Sequence, residues 1–390
     1  MTEERTVKSK RLKSVFLSVA VGINVLIALM TVFSAYGGAV NPDKMVVASI
    51  VAMMLPGFMI AGILLFVADL VFWRKLALVQ VAAWVAAAPP LINFSPLNVS
   101  ERKLTTIEKQ RTFTFLTYNV LHFWDFRGDV PGLERNQTLD YILSTNADIV
   151  NLQEVGDITM EGPWKVTPEQ LYELHTRYPY GYLNAGKELT LLSKYPVEHV
   201  HLDLPPYIAE RVVCFRLDVL GDTINLFSVH LESIGLSPED KALYMQLYHP
   251  SADREFKKEF SEVKTKLISK LTAAFRNRAE QARALRACID SIGGNVIVAG
   301  DFNDIPDCYA IRTIMGDDLR DAYAECAFGP AITYHGNRFY FRIDHIIYDG
   351  NIEAVKLQLD KVPSSDHYPL FATFLIAPDK TRDFLLFLQL

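Results

Sequence analysis

The nine residues Asn295-Val-Ile-Val-Ala-Gly-Asp-Phe-Asn303 carry the reading on which the fold depends. Four apolar residues lead to a glycine and then to two polar residues in three positions, the pattern of a buried strand that delivers functional groups at its end. The same grammar recurs along the chain. Phe113–Val120 holds Asn119 near its end, Asp148–Val155 ends with Gln153 and Glu154, and Thr223–Leu231 ends with His230. Arg342–Tyr348 contains Asp344 and His345, and Asp366 with His367 precedes Leu370–Leu375. Leu189–Ser193, Arg211–Val219 and Ile352–Leu359 complete nine strand-like runs, interleaved with helical patterns at Asn136–Thr145, Glu169–Arg177 and Phe256–Ser291. Strands mixed with helices in this way predict an α/β domain of layered sheets.

Working outward, the remainder of the chain is a different polymer. The first hundred residues carry 8 basic and 4 acidic side chains, while the other 290 carry 31 and 41, so the whole-chain charge of -6 divides into +4 and −10. An apolar content of 50% excludes a disordered chain, and 4 Cys in 390 residues exclude a disulfide scaffold. Ser14–Tyr36 and Met45–Ala68 lack charge and are long enough to cross a hydrocarbon core of roughly 30 Å. Leu76–Phe94 reads as a third span whose last turn is broken by Pro89 and Pro90. A cleaved signal peptide is the alternative for the first stretch, but its apolar run exceeds the usual ~7 to 15 residues. Arg5, Lys8, Lys10, Arg11 and Lys13 hold the N-terminus in the cytoplasm, Arg74 and Lys75 keep the second connection inside, and three spans place residue 95 onward outside. The organisation predicted is a membrane anchor over 1–97 (spans 14–36, 45–68 and 76–94), a polar linker over 98–111, a domain over 112–378 and an apolar tail over 379–390 that is too short to span. Asn24, Pro56 and Asp69 within or beside the spans raise the question of a polar pathway, which an anchor role answers more simply.

Arg254–Arg286 stands out, with ten basic residues against four Glu inside an acidic domain. Ile268, Leu271, Phe275, Ala279, Ala282 and Leu285 recur at helical spacing, so a helix over about 254–290 with a buried stripe and a basic outer face is expected. That face is either ordinary solvated surface or an attractor for an anionic membrane or a phosphate-rich substrate. Cys214, Cys288, Cys308 and Cys326 have no metal-type spacing.

The strand-end residues are carboxylates, amides and imidazoles, with no nucleophilic Ser or Cys beside a base and no glycine-rich phosphate loop. This selection favours a hard cation, Mg²⁺, over zinc. It also meets the needs of phosphoester hydrolysis, where a metal neutralises developing charge, a base deprotonates water and donors hold the phosphoryl oxygens.

Taken in order, Thr117-Tyr118-Asn119, Leu152-Gln153-Glu154-Val155, Leu192-Ser193-Lys194-Tyr195-Pro196, Val229-His230-Leu231, Gly300-Asp301-Phe302-Asn303, Arg342-Ile343-Asp344-His345-Ile346 and Ser365-Asp366-His367 resemble the endonuclease/exonuclease/phosphatase superfamily of metal-dependent phosphoesterases. The resemblance covers about Phe113 to Phe374 and implies a four-layer α/β sandwich, two packed mixed sheets flanked by helices. It implies Glu154 as the principal metal carboxylate, with Asn119 and Asp366 in or near the shell of Mg²⁺, or of Mn²⁺ in its place. It further implies His230 as donor to the phosphate or leaving oxygen, Asp301 and Asn303 aligning water and a phosphate oxygen, and His367, oriented by Asp344, as base or stabiliser. Whether Asp301 or His367 takes the proton stays open. Gln153 and Lys194 read as supports and His345 as structural, whereas His122 and Arg338 are expected to line a substrate loop. Apurinic endonucleases of the superfamily carry Asp two positions beyond the strand-end Asn, where this chain has Leu121. That departure, and the charge of −10, weigh against nonspecific duplex binding. The expected function is therefore a membrane-anchored phosphodiesterase or phosphatase acting on a phospholipid or another membrane-proximal phosphoester. An extracytoplasmic nuclease, a non-catalytic binding module and a channel are the competing readings.

Overall fold

In the computed structural model, residues 2–100, 102–128, 130, 132–156, 165–182, 187–237, 240, 254–336 and 340–377 are described. The expected roles of Arg338 and of the tail 379–390 lie outside them. Two compact units emerge, one of Met1–Ile92 with Asp307–Tyr309 and one of the remainder.

The first unit is helical. Helix α1, Thr2–Gly37, runs unbroken through the first apolar stretch. The second stretch is not one helix: α2, Pro42–Ala52, stops and α3, Leu55–Phe72, restarts with Pro56 in its first turn. A proline lacks the N–H that a continuing helix needs but is at home in an opening turn, where that donor has no partner anyway. Lys13–Gly37 and Leu55–Phe72 are long and apolar enough to cross a membrane, with mean hydropathies of 2.5 and 2.3. The third stretch is a broken pair, α4 Ala77–Ala86 and α5 Ala88–Phe94, bent by 78°. Polar groups meet inside the unit. Gln80 Nε2 donates to Asn24 Oδ1 at 2.9 Å and to Asn24 O at 3.1 Å, and Asp69 is buried.

The second unit is a four-layer α/β sandwich built on two six-stranded sheets. The strands are β1 Thr112–Asn119, β2 Ile149–Gly156, β3 Tyr180–Tyr182, β4 Lys187–Ser193, β5 Val197–Val200, β6 Val212–Val219, β7 Asp222–His230, β8 Asn295–Asp301, β9 Arg320–Asp321, β10 Asp344–Asp349, β11 Ile352–Leu359 and β12 Leu370–Ile376. One sheet has the order β11-β12-β1-β2-β4-β3, the other β5-β6-β7-β8-β10-β9. Each contains one parallel pair, β1 with β2 and β7 with β8, flanked by antiparallel neighbours. Period-two alternation builds the layers. Phe113 and Phe115 of β1 point into a core shared with Phe215, Leu226, Ile297 and Tyr348 of the other sheet. Leu116 and Tyr118 point the other way, against Leu139, Ile142 and Leu143 of helix Gln137–Thr145.

Two expectations change. The polar linker is held at described residues on both sides: Asn98 Nδ2 donates to Ala324 O at 2.8 Å, a capping box of Thr105 and Glu108 closes a helical turn, and Arg111 Nε donates to Ile376 O at 3.0 Å. The basic segment is a helix, Arg254–Ile292, but among the described residues four of its cations are answered within the protein. Lys266 and Lys270 both pair with Asp240, Arg286 pairs with Asp318 and Asp290, and Arg278 lies inside at 1% exposure on Asp304. Ile268, expected in the buried stripe, is exposed, whereas Leu271, Phe275, Ala279, Ala282 and Leu285 are buried.

The Arg278 pair has a measurable consequence. Its Nε donates to Asp304 Oδ2 at 3.0 Å and its Nη1 to Glu232 O at 2.8 Å, with Asp304 only 4% exposed. Removing one partner leaves the other charge buried and uncompensated. Arg278→Ala should destabilise the unit by about 3–5 kcal/mol in denaturant titration, and pairing Arg278→Met with Asp304→Leu should recover most of that loss.

Candidate active site

The parallel strands of both sheets end at one rim. Asn119 closes β1, Glu154 lies two residues from the end of β2, His230 closes β7 and Asp301 closes β8. The antiparallel neighbours start there, with Asp344 opening β10 opposite Asp301 in register and His367 preceding β12. Gly300 allows this closure, because a Cβ at that position would stand 2.0 Å from the Val229 carbonyl oxygen.

Distances at the rim define two imidazole–carboxylate pairs around one buried acid. His367 Nδ1 lies 2.9 Å from Asp344 Oδ2, and His230 Nδ1 lies 3.2 Å from Glu188 Oε2. Their Nε2 atoms face Asp301 Oδ2 at 3.7 and 3.8 Å. His230 Nε2 also stands 3.6 Å from Glu154 Oε1. Asn119 Nδ2 donates to Glu154 Oε1 at 2.9 Å and to Asp301 Oδ2 at 3.2 Å, while its Oδ1 accepts from Leu121 N–H. The amide thus bridges two carboxylates rather than turning its oxygen toward them. Asn303 is fixed at both ends, its N–H donating to Asp301 Oδ1 at 2.8 Å and its Nδ2 to Leu231 O at 3.0 Å.

Burial and these neighbours set the charges. Burial disfavours charge on His367, but Asp344 and Asp301 overcome it and raise the imidazole to about 10. Burial, aided by Asp344, raises Asp301 to about 6 against the pull of the His367 and His230 imidazoles. For His230, burial is outweighed by Glu188, Asp301 and Glu154, so its pKa also rises.

Glu154, His230 and Asp301 present ligand atoms within 4.8 Å of one another, as do Asp301, Asp344 and His367. Oxygen and imidazole donors without thiolate suit a hard or borderline divalent cation, and three crowded acids gain from a positive charge among them. Asp366 joins neither group; it acts on His367 electrostatically, and its backbone carbonyl accepts from His335 N–H at 3.0 Å. His122 reaches the rim, with Nε2 3.8 Å from Glu154 Oε2. Leu121, His122 and Phe123 all have left-handed φ of 47°, 53° and 58°, a conformation costing roughly 1–2 kcal/mol per non-glycine residue. Gln153 is buried and donates to Thr117 Oγ1 at 3.2 Å, Lys194 Nζ caps Asn146 O at 2.6 Å, and His345 sits behind the site against Asp304 O and Arg342.

Glu188 was not foreseen. It stands one residue outside an apolar run and in no motif. The register of β2 and β4 pairs Gln153 with Leu189 and then shifts, which brings Glu188 beside the Glu154 position. Strand alternation puts Glu188 on the face of Thr190 and Leu192, and only the pairing tells which partner it meets.

A four-layer sandwich with such a rim defines the class of metal-dependent phosphoester hydrolases. The chain belongs to the Endonuclease/Exonuclease/phosphatase family, whose profile matches residues 116–367. Residues 14–94 match a second family, described as a domain of unknown function (DUF8431). Similar solved structures include an endonuclease/exonuclease/phosphatase from Beutenbergia cavernae DSM 12333, 19% identical over 68% of this chain and 72% of that one, with a TM-score of 0.45. A humanized D. rerio TDP2 is 16% identical, covering 68% and 99%, with a TM-score of 0.42. An AP endonuclease from Archaeoglobus fulgidus is 15% identical, covering 67% and 98%, with a TM-score of 0.42. No curated protein matches the chain.

Proposed function

We propose that this protein is a membrane-anchored phosphodiesterase or phosphatase that uses Mg²⁺ or Mn²⁺ and acts on a phospholipid or another membrane-proximal phosphoester. The observation that carries the reading is the meeting of Glu154, Asp301 and two carboxylate-anchored imidazoles at one rim. Glu154 is the principal holder of the cation, with Asn119 bracing it and Asp366 adding negative charge nearby. When bound, the cation supplies charge neutralisation at the phosphate and acidifies water.

The chain's own groups do the rest. Asp301, ionised above about 6, accepts the proton of the attacking water. His367, fixed by Asp344 and cationic up to about 10, is assigned to stabilising negative charge on a phosphoryl oxygen rather than to removing that proton. His230, fixed by Glu188, gives a proton to the leaving oxygen. Asn303, locked by its bonds to Asp301 and Leu231, aligns the phosphate. These assignments give a pH profile in which kcat/KM falls as pH drops through about 6, where Asp301 takes up a proton, and no limb from His367 appears below about 10. A profile without the acid limb would remove Asp301 from the base role.

The apolar helices support the anchor, and the basic residues before α1 and between α3 and α4 support a cytoplasmic N-terminus with the catalytic unit outside. This topology needs the bent pair α4–α5 to cross. The test is hydrolysis by the full chain of a panel of sphingomyelin, phosphatidylinositol phosphates, DNA, RNA and small phosphomonoesters, together with carbonate extraction and protease accessibility in intact cells. Preference for lipid, retention in the membrane and cleavage by external protease are expected. Preference for nucleic acid, release by carbonate or full protection would each overturn the corresponding part.

A further inference from the structure

Glu154 has an imidazole against each of its oxygens. His230 stands at Oε1, and its Nδ1 is held by Glu188; His122 stands 3.8 Å from Oε2 and is 45% exposed. Two features of the backbone bear on His122. The left-handed run Leu121–Phe123 turns it toward Glu154, although none of the three residues is a glycine. Gly156, at φ +61°, leaves room for the ring, because a Cβ there would stand 2.9 Å from His122 Nδ1.

An imidazole beside a phosphoester site can relay protons, donate to an anion or ligate a metal. The two imidazoles with proton-transfer or charge roles each have a carboxylate on Nδ1; among the described residues no carboxylate lies within ion-pair distance of Nδ1 of His122. Among the described residues its ion-pair partner, at Nε2, is the side chain already assigned to the cation.

We propose that His122 is a nitrogen ligand to the divalent cation held by Glu154, and that it shifts the site's preference from Mg²⁺ toward first-row transition dications such as Mn²⁺. Magnesium takes oxygen ligands and keeps its waters, whereas an imidazole nitrogen favours transition ions. The inference rests on the reading of Glu154 as the metal carboxylate.

The experiment uses the full chain in detergent, titrated with Mn²⁺ under electron paramagnetic resonance, with Mg²⁺ as competitor and pulsed spectra for nitrogen coupling. In the native protein, bound Mn²⁺ should show imidazole nitrogen modulation. His122→Gly should weaken Mn²⁺ by about tenfold or more and leave Mg²⁺ nearly unchanged, a range typical for loss of a group that tunes a metal site. The same substitution relaxes a left-handed position, so the unfolding midpoint of the metal-free protein should rise; a merely structural histidine would lower it. His122→Asn, which tolerates the left-handed conformation, gives a second variant with the same expected loss of Mn²⁺ preference. An unchanged Mn²⁺/Mg²⁺ ratio in both variants, or nitrogen modulation that persists in both and disappears only in His230→Gln, overturns the proposal. Failure of the native protein to bind Mn²⁺ at all would instead overturn the Glu154 reading beneath it.

Discussion

Glu154→Gln should lower kcat/KM toward a model diester by about 10³–10⁴-fold, equivalent to about 4–5.5 kcal/mol of transition-state stabilisation. The substitution keeps the side chain's size and leaves an oxygen to accept from Asn119 Nδ2, so the strand end and its neighbours stay in place. What it removes is the negative charge that faces two imidazoles and the proposed cation. Added metal should therefore restore little of the activity, and the unfolding midpoint should move by less than the loss in rate would imply. The measurement is steady-state hydrolysis over a metal titration, with denaturation run in parallel. A loss smaller than tenfold would show that the cation is held elsewhere.

Asp344→Asn should cost about 10²–10³-fold in kcat at neutral pH, with KM little changed. Asp344 is the principal group that keeps His367 charged against burial. With an amide 2.9 Å from Nδ1, that support is gone and the imidazole titrates at much lower pH. The sign of the pH effect follows. A group raised to about 10 supplies its charge throughout the neutral range, and lowering it confines the charge to acid solution. Asp344 also helps to raise Asp301, so its removal moves the acid limb downward as well. The variant should thus show a narrow optimum on the acid side, where the native protein has a plateau. An Asp344→Asn profile parallel to the native one at reduced height would mean that His367 acts without its charge.

The rim was legible because its residues end or precede buried strands, and a polar group at either end of an apolar run is visible without knowing the pairing. Asn119, Glu154, His230, Asp301, Asn303, Asp344 and His367 all belong to such runs and meet in the structure. Glu188 escaped because what places it is a register shift between β2 and β4, a property of two strands together. Strands β3, β5 and β9 escaped for a related reason: each is an edge strand of two to four residues, too short to show alternation. The basic helix misled in a different way. Composition counts charges but not their partners, and Asp240, Asp304 and Asp318 lie far enough away in sequence that Lys266, Lys270, Arg278 and Arg286 looked uncommitted. The interruption before α3 was within reach of the sequence, since Pro56 inside an uncharged run is a signal for a helix start.

The two parallel strand pairs, each framed by antiparallel neighbours, make the two sheets local replicas of one another, and the chemistry sits on the seam between them. Asn119 and Glu154 come from one replica, His230, Asp301 and Asp344 from the other, so that no complete set exists within either. The interior of the sandwich is consequently the gauge that spaces the reacting groups. Phe113, Phe374 and Tyr348 are buried far along their strands from that seam, yet they fix how closely the replicas approach, with the Tyr348 and Phe374 rings 5.2 Å apart. Trimming one of them would act as a change of calibration: the protein would keep its reagents and its topology while their separation drifted, and turnover would register that drift on top of the stability lost with the buried ring.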